Sequence, residues 1–543
     1  MKKHLLTALF AVLVTVANAQ SNFGTDYFAI GEIQIARKFF EKQLAQSPAE
    51  SNYYLGEIAF AAGKPDEAKA YYEKGIAADP LYMLNYIGQG KLLLKSDAKA
   101  AEAIFSSALK KNKKNVELNV AVARAYFDCG MKDVALAKIE IARNIGKKSP
   151  LVYILEGDIL KSDNKSGEAG GKFEQAIYFD STCTVASIKC AQVYELINPA
   201  LSIELLKKVI IAHPDYKVVY RLLGNSYSRS GHYQNAIESF KTFFAEGAYD
   251  VEDITKFASA YYFTDQYEQS AELVNKGLAL DPANFVLNRL KMYNASKTKD
   301  ATALPAADYF FTLKSAKGDF LPSDYMAYAV VLNNAGKYDK ALEMFNKMLE
   351  SDPSKAEVYK ELYSVYSKMG DYIKGAASYK KYIQLVGADY VTAVDYFQLG
   401  RAYYYAGSAF KKDSTEAGKT QFKELLAQAD SSFSIVCKLT PEGYTGFLWR
   451  GHTNAMLDSD MTQGLAKPYY EAAMTIILNK AKETGLNGNK KDLADCYEYL
   501  GFYYYLKADK ENAIKYWTLV LELKPNSANA KLVLDEYAKE VKK

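Results

Sequence analysis

The sequence predicts an all-α solenoid of about fourteen helix–turn–helix units, closed by a C-terminal helix. Three observations predict it. Small residues recur at a period near 34: Gly56, Gly224, Gly400 and Gly501 in the first helix of a unit, Ala68, Ala236, Ala429 and Ala513 in the second. An aromatic residue stands four places after the second small residue, as Tyr72, Phe240, Phe433 and Trp517, and likewise Phe345 after Ala341. Units end on matching punctuation, with Asp79-Pro80, Asp281-Pro282 and Asp352-Pro353 closing second helices and Gly63, Gly231, Gly336 and Gly370 ending first ones. The physical logic is direct. Two helices approach closely only where a small residue leaves room, and the aromatic ring fills the space to the next unit. A lone pair cannot bury its apolar face, so the units stack into a continuous core.

The chain opens on Lys2, Lys3 and His4, an apolar run from Leu5 to Ala17, and the small-x-small sequence Ala17-Asn18-Ala19. This is the layout of a secretory signal peptide over 1–19, and the run is shorter than the ~20 apolar residues that a spanning helix needs. The expectation is an exported bacterial protein, periplasmic or on the periplasmic face of the outer membrane. An N-terminal array follows over 20–282. Its first unit is cut short, with Phe23-Gly24-x-x-Tyr27, Ala36-x-x-x-Phe40 and Pro48 in register. Looser units at 115–150 and 183–214 hold the slots with Ala123, Tyr126, Ala135 and Cys190. Residues 283–320 form a degenerate unit that keeps Ala307-x-x-x-Phe311 but turns polar around Asn294–Leu304, and a flexible seam is expected there. A C-terminal array over 321–525 carries insertions at 406–427 and 480–492. The tail, 526–543, reads as a capping helix with Leu532, Tyr537 and Val541 inward and Lys531, Glu536 and Lys539 outward.

The best-formed copies carry a recognisable string. Tyr497-x-x-Leu500-Gly501-x-x-Tyr504 is followed by Ala513-x-x-x-Trp517 and Pro525, and Tyr220-x-x-Leu223-Gly224-x-x-Tyr227 by Ala236-x-x-x-Phe240. Tyr396-x-x-Leu399-Gly400-x-x-Tyr403 is followed by Ala429-x-x-x-Phe433 and Pro441. This resembles the tetratricopeptide repeat, from about residue 22 to the end. The resemblance implies a superhelical solenoid without enzymatic activity, whose first helices line a concave groove for extended peptides or partner helices. It also implies a scaffold or adaptor role in the envelope, with association with an outer-membrane complex open to it.

Composition narrows the alternatives. Of 543 residues, 49% are hydrophobic and 24% charged, the balance of a folded chain rather than a disordered one. The net charge of +4 is too small for a nucleic-acid binder that works by neutralising phosphates. Five cysteines leave at least one thiol unpaired, and all five read as buried apolar side chains. No Cys-x-x-Cys, H-E-x-x-H, P-loop or G-x-S-x-G occurs, so no metal, cofactor or catalytic residue is expected. His213, His232 and His452 occupy ordinary repeat positions. Asp180-Ser181-Thr182 and Asp413-Ser414-Thr415 resemble acceptor tripeptides for bacterial O-glycosylation, the second lying in an insertion.

Candidate groove residues follow by offset from the small residue of each first helix. Around Gly224 these are Arg221, Asn225 and Arg229. Arg221 and Asn225 resemble the start of a clamp for acidic peptides, incomplete because the next unit offers Thr255 and Lys256. Around Gly400 they are Phe397, Arg401, Tyr404 and Tyr405, and around Gly501, Phe502 and Tyr505. Aromatic and arginine side chains dominate binding energy in protein interfaces. The alternative is an accessory protein for glycan handling, since tyrosines also stack on sugars. Predicted groove tyrosines clustered as flat pairs would favour it, and tyrosines scattered in core slots would not.

Overall fold

The computed structural model describes residues 23–541 apart from 246, 248, 314–319 and 487, so the expected signal peptide lies outside the described residues. Among the described residues the chain is helical throughout, with no strand. Fourteen consecutive helix pairs are followed by a final helix, α29 (Ala528–Val541). The first pair is α1 (23–29) and α2 (Ile33–Gln43), the second α3 (Pro48–Ala61) and α4 (Pro65–Ala78). The chain divides into two compact units at Leu290 and Lys291.

The repeat slots behave as the spacing requires. Gly63, Gly231, Gly336 and Gly370 all lie at φ between 73° and 78°, the left-handed conformation that ends a helix. Ala68, Ala236, Ala429 and Ala513 are fully buried, and so are Tyr72, Phe240, Phe433 and Trp517. The second helix of one pair meets the first of the next through a ring. A Cβ at Gly56 would lie 2.4 Å from the Tyr72 ring, and one at Gly88, in α5 (Leu84–Leu93) of the next pair, would lie 2.4 Å from the same ring. Tyr72 is therefore clamped between two glycines 32 positions apart.

Four regions differ from the sequence expectation. Most of 406–427 is helical: α23 (Ala393–Ala409) and α24 (Glu416–Leu439) lengthen, and a six-residue link remains. Around 480–492, α26 (Lys467–Thr484) and α27 (Lys490–Leu506) take up most of the extra chain in the same way. The polar stretch from Asn294 does not begin a loop. It continues α17 (Phe285–Thr298), and Asn294 is buried. The final helix turns a different face inward. Ala530, Val533 and Tyr537 are buried, while Leu532 is 70% exposed. Positions three and four apart share one face of a helix, and Leu532 lies outside the 530–533–537 stripe. Of the cysteines, Cys129, Cys190, Cys437 and Cys496 are buried but Cys183 is only half-buried, and all five are free thiols.

Candidate peptide-binding surfaces

In the first unit the residue one place after the small residue forms a polar row: Glu57, Lys91, Arg124, Asp158, Gln192 and Asn225. Its members are largely satisfied by each other and by near neighbours. The Lys91 ammonium donates to Glu57 Oε2 at 2.6 Å and to Asp128 Oδ2 at 3.2 Å, and stands 4.4 Å from the centre of the Phe60 ring. Burial alone would lower the Lys91 ammonium, but the two carboxylates outweigh it and hold the ammonium above its usual range. Glu57 Oε1 accepts the Tyr72 hydroxyl at 2.7 Å, tying this charge to the ring between the glycines. Asp158 takes Arg124 at 2.5 Å and Lys189 at 2.7 Å. Burial works to raise its carboxyl, yet these two cations hold it below the ordinary range.

Of the predicted residues of this unit, Arg221 is engaged in the same way. Arg221 is half-buried, pairs with Glu32, lies 3.6 Å from Asp253, and stacks 5.3 Å from the Phe243 ring centre. Asn225 is buried and its Oδ1 has no hydrogen-bond partner. Arg229 is exposed and 3.7 Å from Glu195. The carboxylate expected from a ligand at Arg221 is thus supplied by the chain itself, from 189 positions away.

The second unit differs. Phe397, Arg401, Tyr404 and Tyr405, all on α23, gather around Trp449 of α25 (Tyr444–Leu457). The Arg401 guanidinium lies 5.9 Å from the Phe397 ring centre, 5.7 Å from Tyr405 and 5.6 Å from Trp449. Arg401 is half-buried, its Nε is sealed from solvent without a hydrogen-bond partner, and no carboxylate pairs with it among the described residues. Arg37, Arg124, Arg143, Arg221, Arg229 and Arg450 each have one. The rings meet edge to face, Tyr404 on Trp449 at 81° and Tyr405 on Trp449 at 77°.

Phe502 and Tyr505 do not join this cluster. Phe502 packs edge-on against Trp517 at 4.6 Å, and Tyr505 donates to Glu536 Oε2 at 3.0 Å beside Tyr537. Both serve contacts to the last two helices. Trp449 stands two places before Gly451 and so falls outside the offsets that select candidates, three before and one or more after the small residue. The Glu57–Lys91–Arg124–Asp158 row was legible by the offset that selects Asn225. Of the four histidines, His232 beside Ser230 and His452 between Trp449 and Tyr470 pack within their own repeats, whereas His213 meets Phe23 of the first pair. Among the described residues no three His, Cys, Asp or Glu side chains are grouped to hold a metal ion.

Residues 49–82, which span α3 and α4, match the tetratricopeptide repeat family. No curated protein matches the chain. Among solved structures, the C-terminal part of a TPR repeat-containing protein from Cytophaga hutchinsonii is similar at 24% identity, covering 52% of this chain and 99% of that one with a TM-score of 0.42. PilW, described as a type IV pilus biogenesis factor, is similar at 18% identity over 38% of this chain and 96% of its own, with a TM-score of 0.32. YrrB, described as a TPR protein with an unusual peptide-binding site, is similar at 16% identity over 34% of this chain and 95% of its own, with a TM-score of 0.31.

Proposed function

From the premise that this chain is built of tetratricopeptide repeats, we propose that it is a non-enzymatic scaffold of the bacterial envelope that holds a protein or peptide partner on the α23–α25 face of its second unit. One observation carries the choice of face. Among the described residues Arg401 stands among three aromatic rings with no carboxylate paired to it, while Arg221, at a groove offset in the first unit, is already paired. A cation kept half-buried without an anion is a poor arrangement for stability and a good one for recognition, because a partner's acceptor completes it. Large rigid rings beside it supply contact area at little entropic cost. The edge-to-face packing of Tyr404, Tyr405 and Trp449 leaves no flat ring pair for a sugar, so the protein-binding reading is preferred to glycan handling. Placement in the envelope rests on the Lys2–Ala19 segment, and no described helix is long and apolar enough to cross a membrane.

The test is Arg401→Ala combined with Tyr405→Ala in the full chain. Capture of the envelope partner should weaken at least tenfold with the melting temperature within a few degrees of wild type. Retained capture together with lost stability would mean that these side chains are core, and would remove this face. Fractionation of the native host, with the mass of the mature chain, tests export separately; a product starting at Gln20 is expected.

A further inference from the structure

Two successive loops of the first unit concentrate positive charge on a chain whose net charge is only +4. Lys110, Lys111, Lys113 and Lys114 follow α6 (Ala98–Leu109), and Lys147 and Lys148 follow α8 (Lys132–Ile145). All six are exposed, and none is paired with a carboxylate among the described residues. Lysines on the helices around them behave differently: Lys91, Lys138, Lys172 and Lys189 each have a carboxylate partner.

Contacts place these loops on one edge. A Cβ at Gly146 would lie 2.5 Å from Val116 Cγ2, so the 146–149 loop abuts the end of the 110–115 loop. The Tyr153 hydroxyl donates to the Lys147 carbonyl at 2.9 Å, and the Tyr153 ring stacks on Phe179 at 5.1 Å, beside Tyr178. On the other side Tyr82, next to Leu81, faces Glu117. Leu81 and Tyr178 flank the lysines, and each is 83% exposed. The carboxylates of the edge are held locally. Asp79 accepts the Leu81 amide at 2.8 Å, Asp180 accepts the Thr182 amide at 3.0 Å, and Glu50 and Glu117 face each other. A shallow depression of about 580 Å³ opens between the loop and its helix, lined by Ser106, Ser107, Leu109, Lys110 and Lys113, with hydroxyl and ammonium donors around room for a phosphate group.

We propose that this edge, the 110–115 and 146–149 loops with Leu81 and Tyr178 beside them, docks on an anionic lipid bilayer. The ammonium groups meet headgroup phosphates, and the two apolar side chains enter the boundary between headgroups and acyl chains. An acidic polypeptide is the weaker fit. It would fix each lysine in one geometry and cost the rotamer freedom of six long side chains, whereas a bilayer accepts many arrangements of them. The arginine nearest the 146–149 loop, Arg143, is already held by Glu140 and Glu156, so no free guanidinium fork is offered to a carboxylate there. The surface lies in the first unit and does not depend on the Arg401 face.

The experiment floats the full mature chain with vesicles of phosphatidylcholine alone, or of three parts phosphatidylcholine to one of phosphatidylglycerol. Wild type should bind the second at least tenfold more tightly, and added salt should release it, because the charges are exposed. Lys110→Gln, Lys111→Gln, Lys113→Gln and Lys114→Gln together should weaken that binding at least tenfold with the melting temperature unchanged. Leu81→Ser with Tyr178→Ser should weaken it several-fold. A variant with the same charge change at scattered exposed lysines, Lys38→Gln, Lys276→Gln, Lys380→Gln and Lys411→Gln, should bind within twofold of wild type. Equal binding of wild type to the two vesicles, wild-type binding by either edge variant, or equal loss in the scattered variant would overturn the proposal. Tighter binding of wild type to polyglutamate than to the anionic vesicles would overturn it in favour of an acidic polypeptide.

Discussion

Lys91→Met separates a closed polar row from a ligand-reading one. The Lys91 side chain is 2% exposed and Glu57 is 5% exposed, so their pair is a buried one. Methionine keeps the apolar stem beside Phe60 but removes the ammonium shared by Glu57 and Asp128. Asp128 is about a quarter exposed and recovers water. Glu57 cannot, and keeps only the Tyr72 hydroxyl. Breaking a buried pair from one side costs ~3–5 kcal/mol, because the remaining charge stays buried. Removing both charges with Glu57→Gln and Lys91→Met should restore most of that loss, to within ~1–2 kcal/mol of wild type, since the amide still accepts from Tyr72. Urea unfolding measures the totals. Hydrogen exchange over α3, α5 and α7 (Val116–Asp128) locates the loss, which in a repeat array falls on the neighbouring pairs. A Lys91→Met loss below ~1 kcal/mol, or a double variant no better than the single, would refute the reasoning. Glu57 would then have to be counted among the charges open to a ligand.

Gly56→Ala pushes a methyl against the fully buried Tyr72 ring, which Gly88 holds from the other side, and should cost ~1–3 kcal/mol in urea unfolding. Asp26→Asn addresses pH. Burial pushes the Asp26 carboxyl up to about 6, no cation pairs with it among the described residues, and Tyr216 and the Cys183 thiol face it, with the Glu32–Arg221 pair beyond. A carboxyl raised in the folded state leaves the packing of 23–32 against Tyr216 and Arg221 unpenalised below the ordinary pKa and weakens it as pH rises through about 6. Protection of 184–229 from hydrogen exchange, referred to the intrinsic rates, should therefore fall between pH 4 and 7 in wild type and stay level in Asp26→Asn. Iodoacetamide at pH 8 should label Cys183 first and slowly, since burial raises its thiol too, while Cys190 and Cys496, pushed up to about 12, stay unmodified until the chain is unfolded; mass spectrometry counts the adducts.

The helix pairs, their number, the turn glycines and the ring-and-glycine contacts were legible in the amino-acid sequence alone, because each is settled within one period. Gly56 meets Tyr72 as Gly224 meets Phe240, each across one helix pair, and the spacing that brings them together is the spacing that repeats. The Arg401–Tyr405 stripe was legible for the same reason, since all four α23 side chains lie on one helix. Phase is harder than period. The cap turns Val533 inward instead of Leu532 because the surface of α28 (Lys510–Leu523) selects the face, and both choices look apolar in one dimension. What only the tertiary structure decided is which candidate positions are already engaged by the chain itself. Arg221 was found by its offset, but its partner Glu32 stands 189 positions away, a distance that no period of 34 reports. Stacking is a sum of nearest-neighbour contacts and can be read along the chain. The return of residues 23–32 onto α11 (Thr184–Ile197) and α13 (Lys217–Arg229) depends on the curvature accumulated over all the pairs between, and that exists only in three dimensions.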